Sequence, residues 1–140
     1  MSDLSLQLKN EVIRHLSGYA PLLQEVPTER IYAMTSPANP TWPFIRYGSP
    51  IITPYYSSCG DGISARVTLH GFSETSGTRA GEDSAIFIGK LIADAMENFA
   101  TEEVTLVESS WIGSRCIGED TEADRWHIIV EFNIAVINAT

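Results

Sequence analysis

The sequence predicts an α+β domain in which an antiparallel or mixed sheet of four to five strands is covered by two helices. Residues 3–19 and 82–99 repeat apolar side chains at helical spacing, whereas residues 63–73 and 125–137 alternate apolar and polar side chains as strands do. The strands occur in runs broken by single helices, which is typical of α+β order. The 140 residues contain no internal repeat and no clear linker, so we expect one domain spanning residues 1–140.

The first helix is predicted over residues 3–19, DLSLQLKNEVIRHLSGY. Its apolar face is formed by side chains at helical spacing, namely Leu4, Leu8, Val12, Leu16 and Tyr19. Ser2 or Asp3 is expected to cap the start of this helix, and Gly18 lies where a helix commonly ends.

The next segment, residues 20–43, is interrupted by five prolines and is expected to hold only short elements. One short strand is predicted at residues 30–33, and TSPANPTWP is predicted to be a loop, because proline removes a backbone donor and disfavours helix in the residue before it. Residues 44–52 are β-branched and aromatic, and they predict a strand that Pro50 ends or confines to a sheet edge. Residues 53–62 are predicted to form a turn or longer loop.

The middle of the chain predicts a strand followed by the second long helix. Over residues 63–73, Ile63, Ala65, Val67 and Leu69 share one face. Residues 82–99 carry apolar side chains at helical spacing and begin with Glu82 and Asp83, where the helix dipole favours negative charge. The glycine-containing stretch between them is interpreted as a hinge, and Thr78 is a candidate cap for the helix.

Two further strands are predicted at residues 104–118 and 125–137. The second has a strong apolar face, formed by Trp126, Ile128, Val130, Phe132, Ile134 and Val136. The intervening GEDTEAD carries four carboxylates, and its length suits a hairpin loop.

The charge and composition exclude several classes of protein. Acidic residues outnumber basic ones by 18 to 9, giving a formal net charge of −9. Nucleic-acid-binding domains need a basic stripe, because neutralising phosphates supplies most of their affinity, and no such stripe is visible. No apolar run is long enough to span a bilayer and no secretory signal is visible, so we expect a soluble intracellular protein without a membrane partner. Cys59 and Cys116 are expected to be two free thiols.

The sequence predicts no catalytic residue, no cofactor and no metal. His15 is expected to be solvated, while His70 and His127 lie on the polar faces of their strands and come close only if those strands are neighbours. No histidine has another ligand at metal-site spacing, and no phosphate-binding loop or nucleophile elbow is present. The acidic loop also lacks the pattern of a calcium-binding loop.

The order of elements and several short motifs resemble a known family. An amphipathic helix precedes RIYAMTSPANPTWPFIRYG, then come a strand ending VTLHGFSETSG, a helix of the form A-x-x-I-x-x-x-I-x-x-A-M and a closing strand RWHIIVEFNIAV. This layout resembles the tail-completion, or tail-terminator, proteins of long-tailed bacteriophages, prophages and gene-transfer particles. The resemblance covers residues 4–137.

The resemblance implies a structural role without a cofactor. Such proteins form a ring, usually a hexamer, at the head-proximal end of the tail tube, where the ring ends tube growth and helps to join the tail to the head. The implied partners are other copies of the chain, the tail tube protein and the neck or connector proteins, and DNA passes through the ring without specific binding. The implied location is the virion tail, and the host cytoplasm during assembly.

Three polar, glycine-containing segments are candidate contact loops for this assembly, at residues 53–62, 73–81 and 117–124. Within them we select as candidate assembly contacts Ser73, Glu74, Thr75, Glu119, Asp120 and Glu122. Their polarity suits surfaces that become ordered against a partner.

Other functions remain open at this point. The chain fits a neck or head-closure protein acting on the capsid side, or an oligomeric module unrelated to phage. It also fits a small enzyme or ligand-binding domain that uses His70 or His127 with a carboxylate of the acidic loop. A deep pocket with convergent polar groups would favour the last of these.

Overall fold

The computed structural model describes residues 4–33 and 35–138, in which helices pack on one face of a single six-stranded sheet. The helices are α1 (Leu4–Leu16), α2 (Ala20–Leu23) and α3 (Gly81–Glu97), with one 3₁₀ turn at Thr28–Arg30. The strands are β1 (Ile31–Tyr32), β2 (Phe44–Tyr47), β3 (Ile51–Ser57), β4 (Gly60–Ser73), β5 (Val104–Asp120) and β6 (Arg125–Asn138). The predicted cap of the first helix at Ser2 or Asp3 lies outside the described residues.

The sheet has the order β1-β2-β4-β6-β5, and β3 pairs with β4 beside β2. The β1–β2 pair is parallel and the other pairs are antiparallel. The predicted α+β class with a mixed sheet is therefore confirmed, although the sheet has six strands rather than four to five. The long central strand β4 explains the difference, because β2 pairs with one half of its edge and β3 with the other half.

The prediction of a loop at residues 53–62 is wrong. Residues 51–57 form β3, and β4 begins at Gly60, so the two strands make a hairpin with a short turn. Pro54 is tolerated because β3 is an outer strand, where a missing backbone donor costs little. The single strand predicted at residues 44–52 is interrupted at residues 48–50, just where Pro50 lies.

The hydrophobic core lies between the helices and the side chains that point from the sheet towards them. The predicted apolar faces of the first helix, β4 and β6 all contribute, and their most buried members include Leu8, Val12, Leu16, Val67, Leu69, Val130 and Ile134. Helix α3 approaches the sheet closely at Gly89, where an added Cβ would lie 2.6 Å from Cγ1 of Ile128. We call the opposite side of the sheet the uncovered face.

Helix α1 is fixed to its neighbours by two polar side chains. Glu11 is 4% exposed, and its carboxylate accepts hydrogen bonds from the backbone N–H groups of Glu102 (2.7 Å) and Glu103 (2.9 Å) and from Arg14. His15 lies 2.7 Å from the carbonyl oxygen of Ala95, so the prediction of a solvated His15 is wrong. These contacts join α1 to α3 and to the start of β5.

Two predictions from composition bear on the surface of the chain. Cys59 and Cys116 are free thiols, as predicted. Among the described residues, no helix is both long enough and apolar enough to cross a membrane.

Candidate assembly surface

Two of the predicted contact segments meet at one end of the sheet. Nε of Arg125, at the start of β6, lies 3.1 Å from a carboxylate oxygen of Glu74, just after β4. The hydroxyl of Thr75 donates a hydrogen bond to the carboxylate of Asp124 in the β5–β6 turn. The loop after β4 and the β5–β6 turn therefore form one polar surface, which we call the acidic end.

The carboxylate of Asp124 holds the parts of the acidic end together by accepting several hydrogen bonds. Besides Thr75, its carboxylate accepts hydrogen bonds from the backbone N–H of Gly81 (2.7 Å) and from Nε1 of Trp126 (3.0 Å). The Thr75 hydroxyl and these two donors hold the pKa of Asp124 below its usual value. The first turn of α3 is therefore capped by a residue of a distant turn, and the prediction that Thr78 caps this helix is wrong.

The six candidate contact residues have different environments. Ser73 is only 3% exposed, so its side chain is not part of the surface of the subunit. Glu74 and Thr75 are held by the contacts just described, and Asp120 accepts a hydrogen bond from the backbone N–H of Ala123. Strand β5 runs to Asp120, so the loop predicted at residues 117–124 is shorter than expected.

The third predicted segment lies far from the acidic end. The β3–β4 turn is at the opposite end of β4, whose 14 residues span about 45 Å when extended. The three segments therefore do not form one contact surface.

A hydrogen-bonded chain of three titratable side chains crosses three strands on the uncovered face. Nδ1 of His127 (β6) lies 2.7 Å from a carboxylate oxygen of Glu119 (β5), and its Nε2 lies 2.7 Å from Nδ1 of His70 (β4). Because an ionised carboxylate only accepts, His127 carries its proton on Nδ1, and His70 therefore donates to Nε2 of His127. The two histidines are brought together because β4 and β6 are neighbours.

Stacked aromatic rings shield this chain from water. Phe72 stacks on His127 at 4.2 Å between centroids and on Phe44 at 4.5 Å, while the guanidinium of Arg46 lies over Phe72. Burial is the main reason that the pKa of His70 falls to about 4, and the neighbouring His127 and Arg46 lower it further. Burial also lowers the pKa of His127, although Glu119 opposes this effect.

Sequence reasoning missed the part that Glu119 plays. A register shift between Gly118 and Asp120 leaves Glu119 without a paired residue on β6, and its carboxylate reaches His127. The alternation of β4 and β6 placed both histidines on polar faces, but nothing in the sequence marks the bulge.

A carboxylate, two imidazoles and a shifted pKa are also features of catalytic sites. The cavities of about 430, 300 and 220 Å³ are lined by residues other than His70, His127 and Glu119. No group of three or more His, Cys, Asp or Glu side chains within residues 4–33 and 35–138 is placed to hold a metal ion. The two hydrogen bonds link the side chains of β5, β6 and β4 to one another.

Within the described residues the sheet ends at β5 on one side. On the other side the outer strands are β1, which is only two residues long and lies beside β2, and β3, which lies beside β4. Large apolar side chains are exposed on two of these strands: Ile51, Ile52 and Tyr56 on β3, and Val107, Trp111, Ile112 and Ile117 on β5. An unpaired edge with exposed apolar side chains favours contact with another strand.

Together, these features define an α+β domain that offers contact surfaces, namely an acidic end and the free edges of β3 and β5. A family model described as tail completion protein gp17 matches residues 10–137. The chain therefore belongs to the tail completion protein gp17 family, as the sequence resemblance predicted, and it is a structural protein of a phage or phage-like tail.

A solved structure agrees with this assignment. A chain from the virion of a native gene transfer agent (GTA) particle matches with a TM-score of 0.76 at 15% sequence identity, covering 99% of this chain and 100% of that chain. At this identity the match shows a shared fold. No curated protein matches the sequence.

Proposed function

We propose that the chain forms a ring at the head-proximal end of the tail tube, where the ring ends tube growth and offers a surface for joining to the head. The observation that carries this proposal is that the two longest outer strands, β3 and β5, lie on opposite sides of the sheet with an unpaired edge each. When β3 of one copy contacts β5 of the next, the contact is heterologous, and such contacts generate closed rings if the rotation closes. We take the ring to be a hexamer, which is what the resemblance to tail-completion proteins implies.

The two edges suit this contact differently. Strand β5 has three register shifts with β6, which interrupt regular pairing, but residues 113–118 between two of them pair without a break. Strand β3 is seven residues long, and Pro54 removes only one of its donors. A short, regular stretch on each edge limits the number of possible registers, so every contact between neighbouring copies has the same geometry, as a closed ring requires.

The mass of the purified chain and images of its assemblies test the ring. Six copies of 15.4 kDa have a mass of about 92 kDa, and light scattering combined with negative-stain images would show a closed ring of that size. Ile51→Lys places a charge on the exposed β3 edge and is expected to give a folded monomer. Thr28→Lys adds the same charge at an exposed site outside the sheet and should assemble normally.

The position of the chain in the particle separates this function from its nearest alternative. Gold-labelled copies are expected where the tail tube meets the neck. A label on the capsid side would favour a neck or head-closure protein. A chain that stays monomeric in solution and is absent from the tail end would refute the ring.

The acidic end is proposed to contact the tube or neck proteins. Glu122 is the best residue for a test because it is exposed and lies in the β5–β6 turn, whereas Glu119 is bonded to His127. Glu122→Lys is expected to lower the yield of joined particles while leaving the melting temperature of the subunit unchanged. Normal joining would refute this contact.

The ring is proposed to let DNA pass without binding it. Six copies, each with a charge of −9, carry about −54 formal charges, which repel phosphates. Arg46, Arg66 and Arg115 belong to the uncovered face of the sheet, so the proposal requires this face to turn towards neighbouring proteins. A charge map of the assembled ring in which Arg30 or any of these three arginines lines the channel would refute it.

A further inference from the structure

A groove beside the β5 edge has the features of a contact site. It has a volume of about 430 Å³ and lies between α3 and the outer part of β5. Its apolar lining comes mainly from Ile86, Gly89, Ala93, Trp111 and Ile128. Trp111 is 59% exposed and Ile86 is 48% exposed, so two large apolar side chains border an empty space on the subunit surface.

The pleat of the sheet determines which residues of an added strand would enter this groove. Trp111 and Ser114 lie on the helix side of β5, because they pair with the core residues Phe132 and Val130. A strand added to the β5 edge would place every second side chain on that same side, beneath the overhanging flank of α3. The groove is thus continuous with the edge that the proposed ring uses.

Strand β3 carries a matching set of side chains. Ile52 pairs with the core residue Ala65 and Pro54 with Ile63, so the helix side of β3 consists of Ile52, Pro54 and Tyr56. Tyr56 is 76% exposed in the subunit. Residues 51–60 contain no charged side chain, so this strand can enter an apolar groove without desolvating a charge.

We propose that Tyr56 of a second copy of the chain fills the groove between α3 and β5, with Ile52 and Pro54 packing beside it. The ring of Tyr56 then stacks on the apolar lining, and its hydroxyl faces the polar rim, where Lys90 and Asp94 form an ion pair at 2.6 Å. This inference rests on the proposed ring, and it names the side chain that fixes the register between neighbouring copies.

Two substitutions on the same strand test the inference. Tyr56→Ser removes the proposed anchor and is expected to weaken assembly at least about tenfold, as loss of a buried aromatic anchor does. Tyr55→Ser is the matched control, because Tyr55 points to the other face of the same strand. The assembly of this variant should be weakened much less than that of Tyr56→Ser. Equal effects of the two substitutions would refute the role of Tyr56.

Disulfide cross-linking provides an independent test. In a chain carrying Cys59→Ser and Cys116→Ser, the pair Pro54→Cys and Ala93→Cys leaves Tyr56 in place and should give a ladder of linked copies upon mild oxidation, and each single substitution should not. The experiment is run on the purified chain and on particles assembled with it. A ring that forms without the ladder would refute the groove contact but not the ring. A disulfide between the thiol introduced on β3 and the tube protein would have the same meaning. Absence of any ring would refute both proposals.

Discussion

The Glu119–His127–His70 chain predicts that the domain loses stability as the pH falls from 6.5 to 4. The pKa of His70 is lowered from 6.5 to about 4, mainly by burial. Between these two values the unfolded chain binds a proton that the folded chain does not. Stability is therefore complete above pH 6.5 and decreases as the pH falls towards the folded pKa.

The magnitude follows from the size of the shift. A displacement of one pKa unit corresponds to about 1.4 kcal/mol, so the full shift of His70 corresponds to about 3.4 kcal/mol. The ring is only partly buried, and water screens part of this energy, so we expect a loss of about 2 kcal/mol. The lowered pKa of His127 contributes in the same direction, while Arg46 and Arg115 add positive charge beside the pair.

The geometry explains why two protons cannot be accommodated. With one extra proton, His127 is a cation that donates to Glu119 and to Nδ1 of His70, and the chain persists. A second proton on His70 places two N–H groups against each other across 2.7 Å and breaks the link between β4 and β6.

Urea unfolding at pH 7.5, 6.5, 5.5 and 4.5, at one fixed protein concentration, measures the effect. His70→Asn is the matched variant, since its amide can still donate to His127 but does not titrate. The variant should lose about 2 kcal/mol less than the natural chain over this range. Nuclear magnetic resonance titration of the imidazole protons gives the pKa directly. Identical pH profiles for the two chains, or a measured pKa near 6.5 for His70, would refute the reasoning.

Two further substitutions test the packing of the subunit. Glu11→Ala leaves the N–H groups of Glu102 and Glu103 without their carboxylate acceptor, and because water partly reaches these exposed residues we expect a loss of about 2 kcal/mol in urea unfolding. Glu11→Gln keeps a carbonyl acceptor and should cost less, and equal losses for the two variants would contradict this role of Glu11. Gly62→Ala would place a Cβ 1.9 Å from the carbonyl oxygen of Val136, and we expect a loss of at least about 2 kcal/mol. Gly113→Ala is its control, because nothing lies within 4 Å of the added Cβ, and a comparable loss there would show that the contact with Val136 is unimportant.

The hairpin of β3 and β4 shows where prediction from the sequence failed. Residues 53–62 are polar and contain proline and glycine, which are the local marks of a loop. They form strand and tight turn because β4 is long enough to pair with β3 beyond the end of β2. The sequence of residues 53–62 alone does not indicate how long the neighbouring strand β4 is.

At the acidic end, the sequence predicted the polar residues but not the contacts between them. Residues 73–75 and 119–122 were recognised as polar, but their contact depends on Asp124, which bonds to Gly81 across 43 positions of the sequence. Ser73 is polar and is therefore a candidate contact residue from the sequence, but its side chain is buried in the folded subunit.

Local patterns in the chain were enough to establish the α+β class, the two long helices, the apolar faces of β4 and β6 and the membership of the tail-completion family. These features depend on periodicity within about ten residues, on short motifs and on the order of the elements along the chain, all of which can be read from the sequence before it folds. The folded sheet was needed to establish that His70 meets His127 across 57 positions, that a bulge brings Glu119 to them and that β3 and β5 remain as free edges. Such contacts depend on strand order and register, which are selected by the packing of the whole sheet rather than by any one segment.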